Sequence, residues 1–213
     1  MQGRPLQWMA ASTFPRRVAA AAAPGCGVYG MVTRLLLSLL RSMTTAFVPL
    51  SIAILVISDS RTEADDKSGR LLVQRLQSAG HQLHEKVICV DDHYEIRARV
   101  ARWIADETPD VVITTGGTGL TGRDVTLRAV QPLLDRDIPG FGELFRVLSF
   151  ETIGASTIQS RAFAGAAKAT IVFCLPGSSG ACADGWDKLI ATQLDARTKP
   201  CNLVELLPRF TEV

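Results

Sequence analysis

The first 58 residues contain no aspartate or glutamate, yet they carry five arginines, Arg4, Arg16, Arg17, Arg34 and Arg41. The remainder holds 18 basic and 21 acidic residues, a net charge of −3. The overall charge of +2 therefore belongs to the leader, and the acidic balance of the rest excludes a nucleic-acid binder that works through a basic surface. No uncharged apolar run reaches the ~20 residues of a membrane span. Five cysteines, an odd number, show no metal-ligand or redox spacing. They predict free thiols in a reducing compartment and a cytoplasmic protein. His81, His84 and His93 are scattered and read as surface residues. Neither a Ser-His-Asp nor a Cys-His arrangement is present.

Residues 1–48 differ in kind from the rest of the chain, being rich in Ala, Arg and Leu. They read as an acid-poor transit peptide, as a weak signal sequence after Arg16-Arg17, or as an over-extended start with Met43 the true one; the last is favoured. Residues 49–213 read as a single folded domain with a C-terminal tail.

Within that domain, Ser51–Ser58 is a continuous apolar run of the kind found in central parallel strands. Helical spacing predicts a helix over Lys67–Ala79, stopped by Gly80, and another over Tyr94–Ala105. Strands are expected at Leu83–Val90, Asp110–Thr115 and Ile171–Leu175, and further helices at Thr126–Leu134, Phe141–Leu148 and after Gly180. Arg161–Ala167 and Ala169–Leu175 either form a hairpin around Lys168 or leave the first segment irregular. The tail from Asp195 has no clear period, with Leu203, Val204, Leu206 and Leu207 able to pack on a neighbour. Alternation of strands and helices gives an α/β fold, a three-layer sandwich with a mostly parallel central sheet. Ligands of such sheets bind at the carboxyl ends of the strands. Here those ends are Ser58-Asp59, Asp91-Asp92, Thr114–Asp124 and Pro176–Gly180.

The segment from Thr114 to Thr126 carries the most chemistry. Glycines 116, 117 and 119 allow backbone N–H groups to approach an anion, with Thr114, Thr115 and Thr118 among them. Arg123 and Asp124 add a cation and a carboxylate. The P-loop ending and the dinucleotide glycine spacing are both missing. Asp92 and Asp124 are candidate ligands of a magnesium ion, which takes one or two carboxylates plus phosphate oxygens. Each could instead cap the helix after it. For Asp92 the two readings balance; for Asp124 the ligand reading is favoured. Ser58-Asp59 reads as a ligand contact or a solvated turn, Ser178 in the Pro176-Gly177-Ser178 loop as a contact or a plain turn, and Glu143 as a polar contact or a partner of Arg146.

These motifs together resemble the MoaB/MogA type of molybdenum cofactor biosynthesis proteins. The matching pieces are Ser58-Asp59-Ser60, Asp91-Asp92, Thr114–Gly119, Arg123–Thr126, Pro139–Glu143, Ser160-Arg161 and Leu175–Ser178, over Ser51–Asn202. Gln193–Asn202 resembles the B branch in particular. The resemblance implies an α/β sandwich that assembles as a trimer or hexamer. It implies adenylylation of molybdopterin with Mg²⁺ and ATP, other molybdenum cofactor biosynthesis proteins as further partners, and neither nucleic acid nor membrane. It assigns Asp92 and Asp124 to the reaction and the Thr114–Gly119 loop to the phosphate end of the pterin. Some B-branch members have lost the acid corresponding to Asp124, so a non-catalytic molybdopterin-binding role is the alternative.

Overall fold

A computed structural model describes residues 45–212. The three readings of the leader concern residues almost wholly outside the described ones. Among the described residues, six strands form one sheet in the order β2-β1-β3-β6-β5-β4. Strands β1 (Ser51–Ile57), β2 (Gln82–Cys89), β3 (Val111–Thr115) and β6 (Thr170–Leu175) run parallel. Strands β4 (Arg136–Asp137) and β5 (Phe163–Ala167) complete one edge antiparallel. The hairpin reading holds: β5 returns into β6 with Ala167 opposite Thr170, and Lys168 adopts a left-handed φ of 48° at the turn. The two-residue β4 has no sequence signal, because it is too short to show alternation.

Both faces of the sheet are covered, which is why β1 reads as an unbroken apolar run. Ile52, Ile54 and Val56 pack on one face with Leu72, Leu76, Phe145, Trp186 and Ile190. Ala53, Leu55 and Ile57 pack on the other with Ile96, Val100, Trp103 and Val130. Helices α1 (Lys67–Ser78), α4 (Pro139–Ile153) and α5 (Ser179–Gly185) cover the first face; α2 (His93–Asp106) and α3 (Thr126–Val130) cover the second. A π-helical turn, Trp186–Ile190, extends α5. In the tail, the 3₁₀ segment Val204–Arg209 buries Val204 and packs Leu203 and Leu207 on the first core, while Leu206 stays exposed. No helix among the described residues is long and apolar enough to cross a membrane.

Helix α1 starts where a buried carboxylate serves two purposes. Asp66 accepts from Gly69 N at 2.8 Å and pairs with Lys86 Nζ at 2.8 Å, so its charge is matched while fully buried. The helix stops at Gly80, whose φ of 93° lets Gly80 N reach Gln77 O and His81 N reach Leu76 O. Helix α3 ends at Val130, earlier than expected, and passes through Pro132 as a 3₁₀ turn, because proline lacks the N–H of a continuing α-helix. Helix α4 is almost twice as long as the sequence suggests. Pro139 occupies its first turn, where no N–H is missed, and Leu144, Val147, Phe150 and Ile153 on its outer face obscure the period.

The surface reading of His81 is overturned: it is 5% exposed, and its Nδ1 accepts from Leu50 N at 3.2 Å. Its position directly after the α1 stop turns it inward against Trp186. Burial holds the imidazole below its usual 6.5, with Asp195 opposing only in part. The folded state therefore favours neutral His81, and the unfolded chain takes up the proton first as pH falls. Stability from this group is complete above about pH 6.5 and is lost below it, by up to about 1.4 kcal/mol per pH unit. His81→Gln is expected to show a smaller fall in Tm between pH 7.5 and 5.5 than the parent protein; parallel curves would contradict this.

Candidate active site at the carboxyl edge of the sheet

The register aligns the ends of the parallel strands, with Ile57 beside Cys89, Val56 beside Thr115, and Thr115 beside Leu175. The loops beyond these ends meet around a hollow of about 530 Å³. Its floor is the turn after β3. Gly116 has φ 117° and donates its N–H to Leu175 O; Gly117 has φ 62° and its carbonyl accepts from Thr126 N. Thr126 Oγ1 donates to Gly116 O at 2.8 Å. A side chain at Gly116 would run into the carbonyl oxygen of Ile57, and one at Gly117 into Thr126 Oγ1 and the Asp91 carboxylate. Only glycine lets the strand turn this close to β1.

Most of the expected contacts line this hollow: Ser58, the stretch from Gly116 to Gly119, Asp124, and Pro176-Gly177-Ser178. Thr114 and Thr115 do not. Both belong to β3 and are fully buried in the sheet, and the Thr115 hydroxyl is spent on Pro176 O at 3.0 Å. Thr115 therefore fixes the neighbouring loop instead of facing a ligand. Ser178 lines the hollow but also caps α5, accepting from Ala181 N at 3.2 Å. Glu143 is exposed and lines a separate hollow of about 520 Å³ with Arg146 and Arg161. The expected Glu143 partner, Arg146, instead donates to Ala162 O at 3.2 Å.

The acids sort differently from the sequence reading. Asp92 is the N-cap of α2, accepting from Tyr94 N at 2.8 Å and Glu95 N at 3.1 Å. Its cap reading is the one the geometry realises. Asp91, marked in the sequence only as a motif neighbour, has the carboxylate that lies against Gly117 and accepts from Val125 N at 3.4 Å. Burial first, and then the carboxylates of Asp124 and Asp59, push the Asp91 carboxyl above its usual range, against the Val125 hydrogen bond. Asp124 lies against Gly119 and accepts from Thr121 N at 2.8 Å and Thr121 Oγ1 at 2.6 Å. Burial alone would raise it, but the Thr121 bonds, with the charge of Arg161, hold it below the usual range. Asp59 accepts from Asp91 N and pairs with Arg123 at 2.6 Å, and the Arg123 bond is the main cause of its lowered pKa.

Several lining groups lie beyond the reach of the sequence reading. Arg61 donates to Gly177 O at 2.8 Å and to Ser68 Oγ at 3.2 Å, which ties the β1 loop to the β6 loop and leaves a guanidinium on the wall. Ser60 and Ser160 are visible in the sequence only as motif members. Ser149 and Gln159 escape it because the expected α4 ends at Leu148; Ser149 lies in the unread extension of that helix and Gln159 in the 3₁₀ segment after it. Among the described residues no three His, Cys, Asp or Glu side chains converge as a ready metal-ligand set. The carboxylates of Asp91 and Asp124, which lie against Gly117 and Gly119 of one turn, are hard oxygen donors of the kind a magnesium ion takes beside water and phosphate.

Residues 53–196 match the family model described as "Probable molybdopterin binding domain". The molybdenum cofactor biosynthesis protein B of Escherichia coli (strain K12) is 52% identical over 160 residues, covering 75% of this chain and 94% of its own. The crystal structure of a molybdenum cofactor biosynthesis protein B superposes with a TM-score of 0.71 at 41% identity, over 79% of this chain and 100% of the other. That of the tungsten cofactor synthesizing protein MoaB from Pyrococcus furiosus gives 0.66 at 31% identity, over 78% and 100%.

Proposed function

This chain belongs to the MoaB family of molybdenum cofactor biosynthesis proteins, and from that premise we propose that it adenylylates molybdopterin with Mg²⁺ and ATP. The observation that carries the reading is that the carboxylates of Asp91 and Asp124 lie against two glycines of one turn, Gly117 and Gly119. The turn supplies N–H groups and space for the phosphate end of the pterin, and Arg61 adds positive charge to the lining of the hollow. In the reaction a phosphate oxygen of molybdopterin attacks the α-phosphorus of ATP, and pyrophosphate leaves as the α–β bond breaks. Asp91 and Asp124 would hold the magnesium ion, which supplies charge neutralisation at the transferring group. Ser58, Ser60 and Ser160 would orient the phosphates, and Gly177 stays in place through Arg61.

A second reading, molybdopterin binding without turnover, draws support from the use of Asp92 as a helix cap and from the B-type tail. Product analysis separates the two. The full chain, incubated with molybdopterin, Mg²⁺ and ATP, is expected to yield adenylylated molybdopterin and pyrophosphate. Asp124→Asn is expected to lose product formation by more than about 10²-fold while binding molybdopterin within about threefold of the parent. Binding with no product from the parent chain would leave the second reading.

Self-association belongs to the same proposal. The outer face of α4 exposes Leu144, Val147, Phe150 and Ile153, with Ile158 81% exposed close by in sequence, and an apolar face of this kind suits a second copy. A cytoplasmic location accords with Cys89, Cys174, Cys182 and Cys201 as free thiols.

A further inference from the structure

We propose that Arg161 is a positioning residue, which clamps the glycine loop at both ends and thereby fixes where the Asp124 carboxylate stands. Its backbone N–H donates to Thr118 O at 3.1 Å, and its Nη2 donates to Asp124 O at 2.8 Å. One residue from the segment before β5 thus holds two carbonyls, those of Thr118 and Asp124, in the turn after β3. Between those two points the loop bonds mainly to itself. Leu120 is 65% exposed, and a side chain at Gly122 would meet nothing within 4 Å. The bonds within the loop are those of Thr121 with Asp124 and Arg123, and the outer tie, Arg123 to Asp59, is solvent-exposed.

Arg161 is itself anchored. Ala162, the next residue, is buried, and its carbonyl accepts from Arg146 on α4. The guanidinium is not where it would best satisfy itself: Nε–H is buried without a hydrogen-bond partner, and Arg161 makes no ion pair among the described residues. A fork that forgoes a carboxylate to hold a main-chain carbonyl is placed for the loop. Lysine could keep the charge but not the planar geometry. The α4 helix, through Ala162 and Arg161, is in this way connected to the acid end of the glycine loop.

The inference rests on the proposed adenylylation only for its activity readout. Amide hydrogen exchange of the unliganded full chain tests the clamp without any substrate. In Arg161→Gln, amides of residues 118–125 are expected to exchange about tenfold faster or more, while those of β1 and β3 are unchanged. Turnover of Arg161→Gln is expected to fall about 10–100-fold with molybdopterin affinity nearly kept. The double variant with Asp124→Asn should be no slower than Asp124→Asn alone, because Arg161 acts through that residue. Arg161→Lys should recover part of the loss, and it serves if the glutamine variant does not fold. Unchanged loop exchange, acceleration spread through the sheet, or additive losses in the double variant would each overturn the clamp. A parent chain that makes no adenylylated product would sink the adenylylation reading, and the exchange comparison would still decide this one.

Discussion

Asp91→Asn is expected to lower molybdopterin adenylylation by about 10²–10³-fold, whereas Asp92→Asn leaves it within about twofold. The two residues are neighbours in sequence but do different work. Asp91 meets the glycine turn at Gly117, as Asp124 does at Gly119; Asp92 accepts two N–H groups at the start of α2. Asparagine caps a helix as well as aspartate does, so Asp92→Asn keeps the cap, and Asp92→Ala should lose only about 1 kcal/mol of stability. The linkage sign at Asp91 gives a second handle. Its carboxyl is raised in the fold, so the protonated form is favoured there; that contribution is present below the unfolded value near 3.8 and is lost as pH rises through the folded value. At neutral pH the ionised group therefore strains the apo protein, and Asp91→Asn should raise Tm while turnover falls. Steady-state kinetics and thermal melts of the three variants check this. Equal loss of turnover in Asp91→Asn and Asp92→Asn would remove the assignment.

Gly116→Ala is expected to destabilise the fold by about 3 kcal/mol or more, from a left-handed backbone and an overlap with main chain combined. For a domain of this size that corresponds to a Tm lower by roughly 6–12 °C. The obstacle is the Ile57 carbonyl of a central strand, which cannot rotate away as a side-chain tip could. Gly122→Ala in the same loop meets nothing within 4 Å and should stay within about 0.5 kcal/mol of the parent. Melting both variants tests the claim that the turn after β3, and not glycine content in general, is constrained; a mild Gly116→Ala would refute it.

Legibility in the sequence obeys physical rules. Ser51–Ile57 reads correctly because a strand buried on both faces needs no alternation, and α1 because Asp66 and Gly80 mark its ends. The glycine turn reads correctly because three glycines in four positions satisfy few other needs. The failures have separate physical causes. Which of two adjacent aspartates meets the glycine turn depends on the backbone angles of a short turn, and Asp92 at φ −114° and ψ 131° directs its carboxylate back to the helix. Whether Thr114 and Thr115 face a ligand depends on one residue of strand length. The true extent of α4, and with it Ser149 and Gln159, is hidden because a helix apolar on its outer face loses its period. Arg161 offers only a motif position, since its role lies in contacts to carbonyls that carry no sequence signal.

The strand order has a consequence for how the protein comes into being on the ribosome. Strand β6 is the last of the six to be synthesised, yet it lies in the interior of the sheet, between β3 and β5. A nascent chain that has emerged only through β3 has an open edge where β6 will sit, with Val111, Val112 and Ile113 lacking their final neighbours. The Arg61 to Gly177 hydrogen bond, spanning 116 residues, can form only after that insertion. Closure of the hollow is thus a late and non-local event, slow by topology, and the growing chain carries an apolar strand edge that invites association until β6 arrives.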